Sequence, residues 1–403
     1  MALASGIFKQ VKYKVESVYG TVPAAAAAQA LRRVQSSLDL SKDTYQSNEI
    51  RTDLQVADFR HGVRRVKGSI NGELSAKTYS EFMAAAVKRD FAAVAAISGA
   101  SITIAGAGPT YTVTRGAGSF LTDGVKIGDI IRLSVGTFNV ANASKNLMVT
   151  ALTATIATVI VVNASALVPE GPIATSTVTV FGKKTFMPAS GHTDKSYSIE
   201  HWYSDVVQSE VFSGCKVNKV SVNLPPTGMA TVGIDFTGKD ITTAAAEYFT
   251  SPTAATTTGA LAAVNGVVRL NGVTVAILTG LNFSIDAAFS GDPVVGANTV
   301  PNQFPGTVKV TGQATAYFQD ATLRDVFINE TEASLFAVFT ADGSAGADFV
   351  QFALPRIKLG GAGKSDGQGG LVQTLPFTAL YNTTGGAGIS SEATTVSIQD
   401  SQA

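Results

Sequence analysis

Apolar and polar residues alternate with a period of two along most of the chain, and twice the alternation runs directly into a helical spacing. In the first instance Val66, Gly68, Ile70, Gly72 and Leu74 alternate with Arg65, Lys67, Ser69, Asn71 and Glu73, and Thr78-Tyr-Ser-Glu81 then opens a helix. In the second, Val308, Val310, Gly312, Ala314 and Ala316 alternate with Lys309, Thr311, Gln313 and Thr315 before Asp320 caps another helix. Period two specifies a strand with one buried face, and the switch to helical spacing supplies a helix to cover that face. A module repeated in this way, with no chemistry in it, points to an assembly subunit.

The two stretches can be laid side by side. The first runs through Leu38 to Leu40, a long polar connection, Arg64 to Leu74, the helix from Thr78, then Tyr197 to Tyr203, Val211 to Leu224 and Met229 to Phe236. The second runs through Leu281 to Ile285, a proline-bearing connection, Thr307 to Phe318, the helix from Asp320, Leu335 to Thr340, Phe349 to Leu359 and Leu371 to Leu380. Order, spacing and element type agree, although few residue identities do. In the first helix Thr78 and Glu81 fit a capping box, in which each side chain accepts from the other residue's backbone N–H. Tyr79, Phe82, Met83, Ala86, Val87 and Phe91 form its apolar stripe, with Lys88 and Arg89 expected in the last turn. Leu323, Val326 and Phe327 form a shorter stripe in the second.

Between Phe91 and Lys184 the pattern changes to short, weakly charged strands: Ser101 to Ile104, Thr110 to Thr114, Ile130 to Val135, Leu147 to Leu152, Thr155 to Val162 and Thr177 to Phe181. The helix before this stretch needs a sheet that resumes only after it, so it reads as a small β-barrel or sandwich inserted into the first module, its two ends close together. The predicted architecture is therefore mainly β. Residues 1–91 with 184–250 form the first β-sandwich module with a flanking α-helix, 92–183 the inserted all-β domain, and 251–403 the second module.

Composition narrows the function. Lys plus Arg number 30 and Asp plus Glu 30, so the net charge is zero and no global field draws the chain to polyanions. The single cysteine, Cys215, excludes an internal disulfide and any multi-thiolate metal site, and its alternating context reads as a small buried hydrophobe. No apolar run approaches the roughly 20 residues of a membrane helix, and no secretory signal is evident at the start. A soluble protein made inside a cell is expected.

Catalytic motifs are missing. His61, His192 and His201 are scattered outside any metal-binding spacing, so no metal or cofactor is expected. Gly361-Ala-Gly-Lys-Ser365 resembles the end of a phosphate-binding loop, but Lys358 stands where the earlier glycine belongs, and an inter-strand loop is the preferred reading. Trp202 between Glu200 and Asp205 could suggest a glycan site, yet alternation within a strand explains the cluster more simply. The prediction is that the protein is not an enzyme.

Long connections are the remaining feature. Residues 1–35, Lys42 to Gly62 and Phe289 to Gly306 exceed the roughly 12 to 15 residues that compact domains tolerate without a binding role, and another copy of the chain is the expected partner. Val294, Val295 and Phe304 offer apolar contact, and the three prolines of the last loop reduce the entropy lost on docking.

The run Glu210-Val-Phe-Ser-Gly-Cys-Lys-Val-Asn-Lys-Val-Ser-Val-Asn-Leu-Pro-Pro-Thr-Gly-Met-Ala-Thr-Val-Gly-Ile-Asp-Phe-Thr-Gly238, with the long loop, the Gly68 to Leu74 strand and the helix from Thr78, resembles the major tail tube protein of long non-contractile-tailed bacteriophages. The likeness lies in pattern and covers nearly the whole chain except the insert. It implies a virion structural protein, assembled in the host cytoplasm, whose sheets join around rings that stack into a tube for DNA and the tape-measure protein. Two modules per chain then predict trimeric rings with pseudo-sixfold symmetry, hexamers of tandem subunits being the alternative. Arg65, Lys67, Ser69, Asn71, Glu73, Lys309, Thr311, Gln313 and Thr315 become candidates for the lumen or ring barrel. Tyr45, Glu49, Arg51, Asp58, Asp292, Val295, Asn302 and Phe304 become candidates for ring stacking. Expected partners are further copies, tape-measure and tail-tip or terminator proteins, and transient, non-specific phage DNA, with no membrane contact. The inserted domain would face outward and touch the host surface. A β-sandwich adhesin or host-surface-binding structural protein is the alternative.

Overall fold

The strand Gln208–Leu224 belongs to two sheets at once, and the first half of the molecule is built around it. In the computed structural model, which describes residues 3–163, 165–275, 277–365 and 369–403, its first part pairs with Tyr197–Tyr203 and Asp240–Ala244. Its second part pairs with Thr231–Gly238 and Leu278–Asp286. Between them Gly214 adopts a φ of +65°, and a Cβ there would lie 2.8 Å from Lys239 and 3.1 Å from the Tyr19 ring, so the bend requires glycine. Because the strand changes sheet, its apolar residues face one core from two sides. Val11, Tyr13, Ile199 and Phe212 meet Val66, Ile70, Val232, Ile234 and Phe236 there, all buried.

Phe349–Leu359 repeats this arrangement. Its first part pairs with Ala333–Thr340 and Ser397–Asp400, and its last residues pair with Val372–Ala379. Counting outward, Phe59–Glu73 lies between Asp39–Gln46 and Thr231–Gly238, as Lys309–Tyr317 lies between Leu278–Asp286 and Val372–Ala379. Each half thus has a four-stranded inner sheet and an outer sheet that shares its long strand. The inner sheets join edge to edge where Gln208–Leu224 pairs with Leu278–Asp286, giving one continuous eight-stranded sheet.

The inserted stretch closes into a six-stranded barrel. Its strands Ile97–Ala105, Thr110–Arg115, Ile130–Ser134, Leu147–Leu152, Ile156–Val161 and Glu170–Val180 match those read from the alternation, the first and the last starting earlier than predicted. Ala92 and Lys184 bridge at its neck, each N–H donating 2.9 Å to the other's carbonyl. The barrel has its own core around Ile102, Val113, Phe120, Leu133 and Leu147. A second apolar cluster, Ile130, Met148 and Ile160 against Phe336, Val338 and Phe349, seats it on the sheet of Ala333–Thr340 and Phe349–Leu359. Lys183–Phe186 joins that same sheet by pairing with Ser397–Asp400.

The helices differ from expectation. The first spans Ser80–Ala86, and the capping box is not made: Thr78 is buried and its hydroxyl bonds Ser75 at 2.6 Å and Thr256 at 2.5 Å, while Glu81 takes Lys195 at 2.8 Å. Tertiary hydrogen bonds have displaced the local motif. Lys88 and Arg89 lie beyond the helix end, their charges 4.0 Å and 3.8 Å over the rings of Phe289 and Phe186. The second helix, Thr322–Ile328, has no buried residue, and Phe327 is 38% exposed instead of lining a core stripe. The N-terminal arm, for which a second copy was the expected partner, packs within its own chain. Lys9–Val15 pairs with Tyr197–Tyr203, and Arg32 donates to the Thr258 carbonyl at 2.6 Å and accepts the Tyr79 hydroxyl at 2.8 Å.

Candidate functional site

Residues directly opposite in a sheet share a face, so the register fixes what the eight-stranded surface presents. One ladder across it reads Ser69, Asp235, Lys219, Asp286, Lys309. The next reads Asn71, Gly233, Ser221, Ser284, Thr311, Thr378, Lys358, and a third reads Glu73, Thr231, Asn223, Asn282, Gln313, Pro376. Lys67 extends the charged edge, opposite Asp39 on one side and Thr237 on the other. All nine residues singled out for the lumen or ring barrel therefore stand on one face, Thr315 opposite Gly280 and Thr374 and Arg65 opposite Ser41.

Charges on this face alternate along the ladder. Asp235, Lys219, Asp286 and Lys309 follow one another on adjacent strands, so each charge stands directly opposite one of the other sign. Burial holds Asp235 above the ordinary carboxylate range, Lys219 opposing and Asp286 adding to the effect. Hydroxyls also line this face: Ser37 and Ser69 lie 3.3 Å apart near one edge, and Thr279 and Thr315 3.0 Å apart. The result is a wet surface with little net charge. Both outer edges are open: among the described residues Asp39–Gln46 pairs only with Phe59–Glu73, and Lys358 and Leu359 pair only with Val372–Ala379.

The loop residues divide into two groups. Tyr45, Glu49, Arg51 and Asp58 sit on an exposed hairpin arm formed by Asp39–Gln46 and Phe59–Glu73 and the turn between them. Arg51 pairs with Asp53 at 2.6 Å and Asp58 with Arg60 at 2.7 Å, while Ile50 and Leu54 are 100% and 95% exposed at the tip. The second loop instead lies back on the first module. Asn302 accepts from the Lys216 ammonium at 3.1 Å, the Asn298 carbonyl accepts from the Arg64 N–H at 2.8 Å, and Phe289 lies under Lys88. Asp292, Val295 and Phe304 of that loop stay at the surface.

The chemistry considered in the sequence finds other duties. The Glu200 carboxylate is buried and accepts from the N–H groups of Tyr248 and Phe249 at 2.7 and 3.1 Å, and Asp205 accepts from Ser5 at 2.6 Å. Gly363–Lys364 is a short strand against Gln373 and Thr374, with Lys364 3.2 Å over the Phe318 ring, instead of the loop expected there. Cys215 is fully buried and burial pushes its thiol well above the usual range. His201 is buried against Ser36 at 2.7 Å, and desolvation lowers its pKa. Among the described residues no cluster of His, Cys, Asp or Glu could hold a metal ion, and no helix is long and apolar enough to cross a membrane.

A family model for the phage tail tube protein matches residues 9–379. The chain belongs to the phage tail tube protein family. Among curated proteins none matches it. Membership makes it a virion structural protein of a bacteriophage tail, in a family whose role is to form the tube and not to catalyse. Sequence reasoning missed Asp39, Lys219, Asp235, Asp286 and Lys358 on the polar face. The alternation around Lys219 was visible in the Val217 to Asn223 run, but the pairing that sets it beside Asp235 and Asp286 joins strands far apart in sequence.

Proposed function

We propose that the chain forms closed rings in which the eight-stranded sheets of successive copies join into one barrel, and that stacked rings make the wall of the tail tube. The supporting observation is the edge-to-edge union of two like sheets inside one chain, with an open edge at each end. Unpaired strand edges invite uncontrolled association, and closing a ring removes them. The unit boundaries we propose are 1–91 with 184–250, 92–183 and 251–403, with Lys183–Phe186 crossing into the second unit's outer sheet.

Size favours three copies. Strands spaced about 4.8 Å apart and tilted by about 40° give a barrel roughly 16 Å across for eight strands, 32 Å for sixteen and 48 Å for twenty-four. After side chains take about 10 Å, only the last leaves ample room for duplex DNA and a tape-measure protein. The polar face lines that lumen. Its alternating charges leave no run of cations to bind phosphates, so DNA slides past without the counterion release that would hold it. The hairpin arm with Ile50 and Leu54 reaches the next ring, the barrel unit faces outward, and assembly takes place in the host cytoplasm with tail-tip or terminator proteins closing the ends. Negative-stain microscopy at rising protein concentration tests this. Hollow rods of uniform width are expected, and a protein that stays monomeric at all concentrations would refute it.

A further inference from the structure

The seam between copies can be read from the seam inside the chain. In the first inner sheet Asp39 opposes Lys67, and in the second Asp286 opposes Lys309. Two residues beyond each lysine, Ser69 opposes Asp235 and Thr311 opposes Thr378. Those partners oppose Lys219 and Lys358 respectively. Asp39 thus holds the place of Asp286, and Lys358 the place of Lys219. Within the chain Lys219 opposes Asp286, with Val220 opposite Ile285 on the core side and Ser221 opposite Ser284 on the polar side.

Resting on the ring reading above, we propose that Lys358 of one copy stands opposite Asp39 of the next, in an antiparallel ladder that sets Leu359 against Leu38 and Gly360 against Ser37. Each feature of the internal seam has its counterpart. The charges are opposite in the same order, the apolar pair falls on the core side, and the small pair on the polar side. The stretches are available: Asp39 is exposed, Lys358 and Leu359 are half-buried, and among the described residues neither strand has a neighbour on the edge concerned. The exposed Val34 continues the apolar side of the Asp39 strand along the same edge. A lysine opposite an aspartate also sets the register, since a shift by one residue would turn the charges into the core and the leucines into the lumen.

Charge reversal tests it. Asp39→Lys and Lys358→Asp, each alone, place like charges opposite one another and should raise the concentration at which the protein assembles by up to about tenfold, while Asp39→Lys/Lys358→Asp in one chain should return it to within about twofold of wild type. Melting curves of the dispersed subunits check that all three fold. In a second measurement, chains carrying Asp39→Cys and Lys358→Cys are mixed, assembled and oxidised. A disulfide-linked pair should form in rods and not among dispersed subunits, Cys215 being buried. If wild-type protein makes no rings at all, the ring reading falls and the seam with it. If wild type makes rings while the single reversals assemble equally well, the double fails to recover, or no cross-link forms in rods, this register is wrong and the ring reading stands.

Discussion

Removing the ammonium of Lys184 should loosen the inserted barrel from the body more than any other single side-chain change at its neck. Its nitrogen lies 2.8 Å from Asp129 of the barrel and 2.9 Å from Glu392 of the C-terminal segment, and its side chain is 5% exposed. Burial alone would lower its pKa, but the two carboxylates raise it above the ordinary lysine value, so it stays charged through the neutral range. Lys184→Met removes the cation that ion-pairs both carboxylates and leaves only the more distant Lys126 to offset them, and breaking a buried pair in this way costs about 3 to 5 kcal/mol. Lys184→Met/Asp129→Asn/Glu392→Gln removes all three charges and should recover most of that loss, because the desolvation of unpaired carboxylates disappears. Denaturant unfolding gives the free energies, and limited proteolysis at the neck between Ala92 and Lys184 reports barrel release. The single variant should also suffer less at acidic pH. Burial already holds Asp129 above the ordinary carboxylate range, and without the lysine that opposes this rise it takes up a proton on folding, so the variant's stability increases as pH falls. A single variant within 1 kcal/mol of wild type, or a triple variant as unstable as the single, would refute the reasoning.

Other expectations follow from the same physics. Phe82→Ala should cost about 3 to 5 kcal/mol in thermal or denaturant unfolding, since Phe82 is fully buried with ring centres of Tyr13, Tyr197 and Phe236 at 4.6, 5.2 and 5.3 Å. Phe327→Ala, in the corresponding exposed helix, should cost about 1 kcal/mol or less. Asp400 is pushed up to about 6 by burial, so its share of stability is complete below the unfolded value near 3.8 and is lost as pH rises through 6. Asp400→Asn should therefore flatten the pH profile of the melting temperature between 4 and 7, while its single amide oxygen leaves one of the Lys77 and Gln402 N–H donors without an acceptor.

The barrel strands and the polar face of the repeated strand were legible in the sequence because period-two alternation is local, and each such strand carries its own signal. The Thr78 capping box was misread because Thr256, which takes the hydroxyl, is 178 residues away in sequence. Position along the chain also hid the row that joins Asp235, Lys219, Asp286 and Lys309, since alternation shows which face a residue takes but not which strand lies beside it. The second loop's return onto Lys216 and Arg64 had no pattern at all, being made by single polar contacts. Helical spacing located both helices, though the first ends before Lys88, yet could not distinguish the buried Ser80–Ala86 from Thr322–Ile328, where only Leu323 and Val326 pack partly against the core, because burial depends on what the rest of the chain lays over them.

Rotational symmetry in averaged end-on views of assembled rods tests the central claim most directly. Three chains per ring, with an inner wall of near-sixfold appearance and a threefold set of outer barrels, is the predicted result. Six chains per ring, or a wall that does not close, would contradict it.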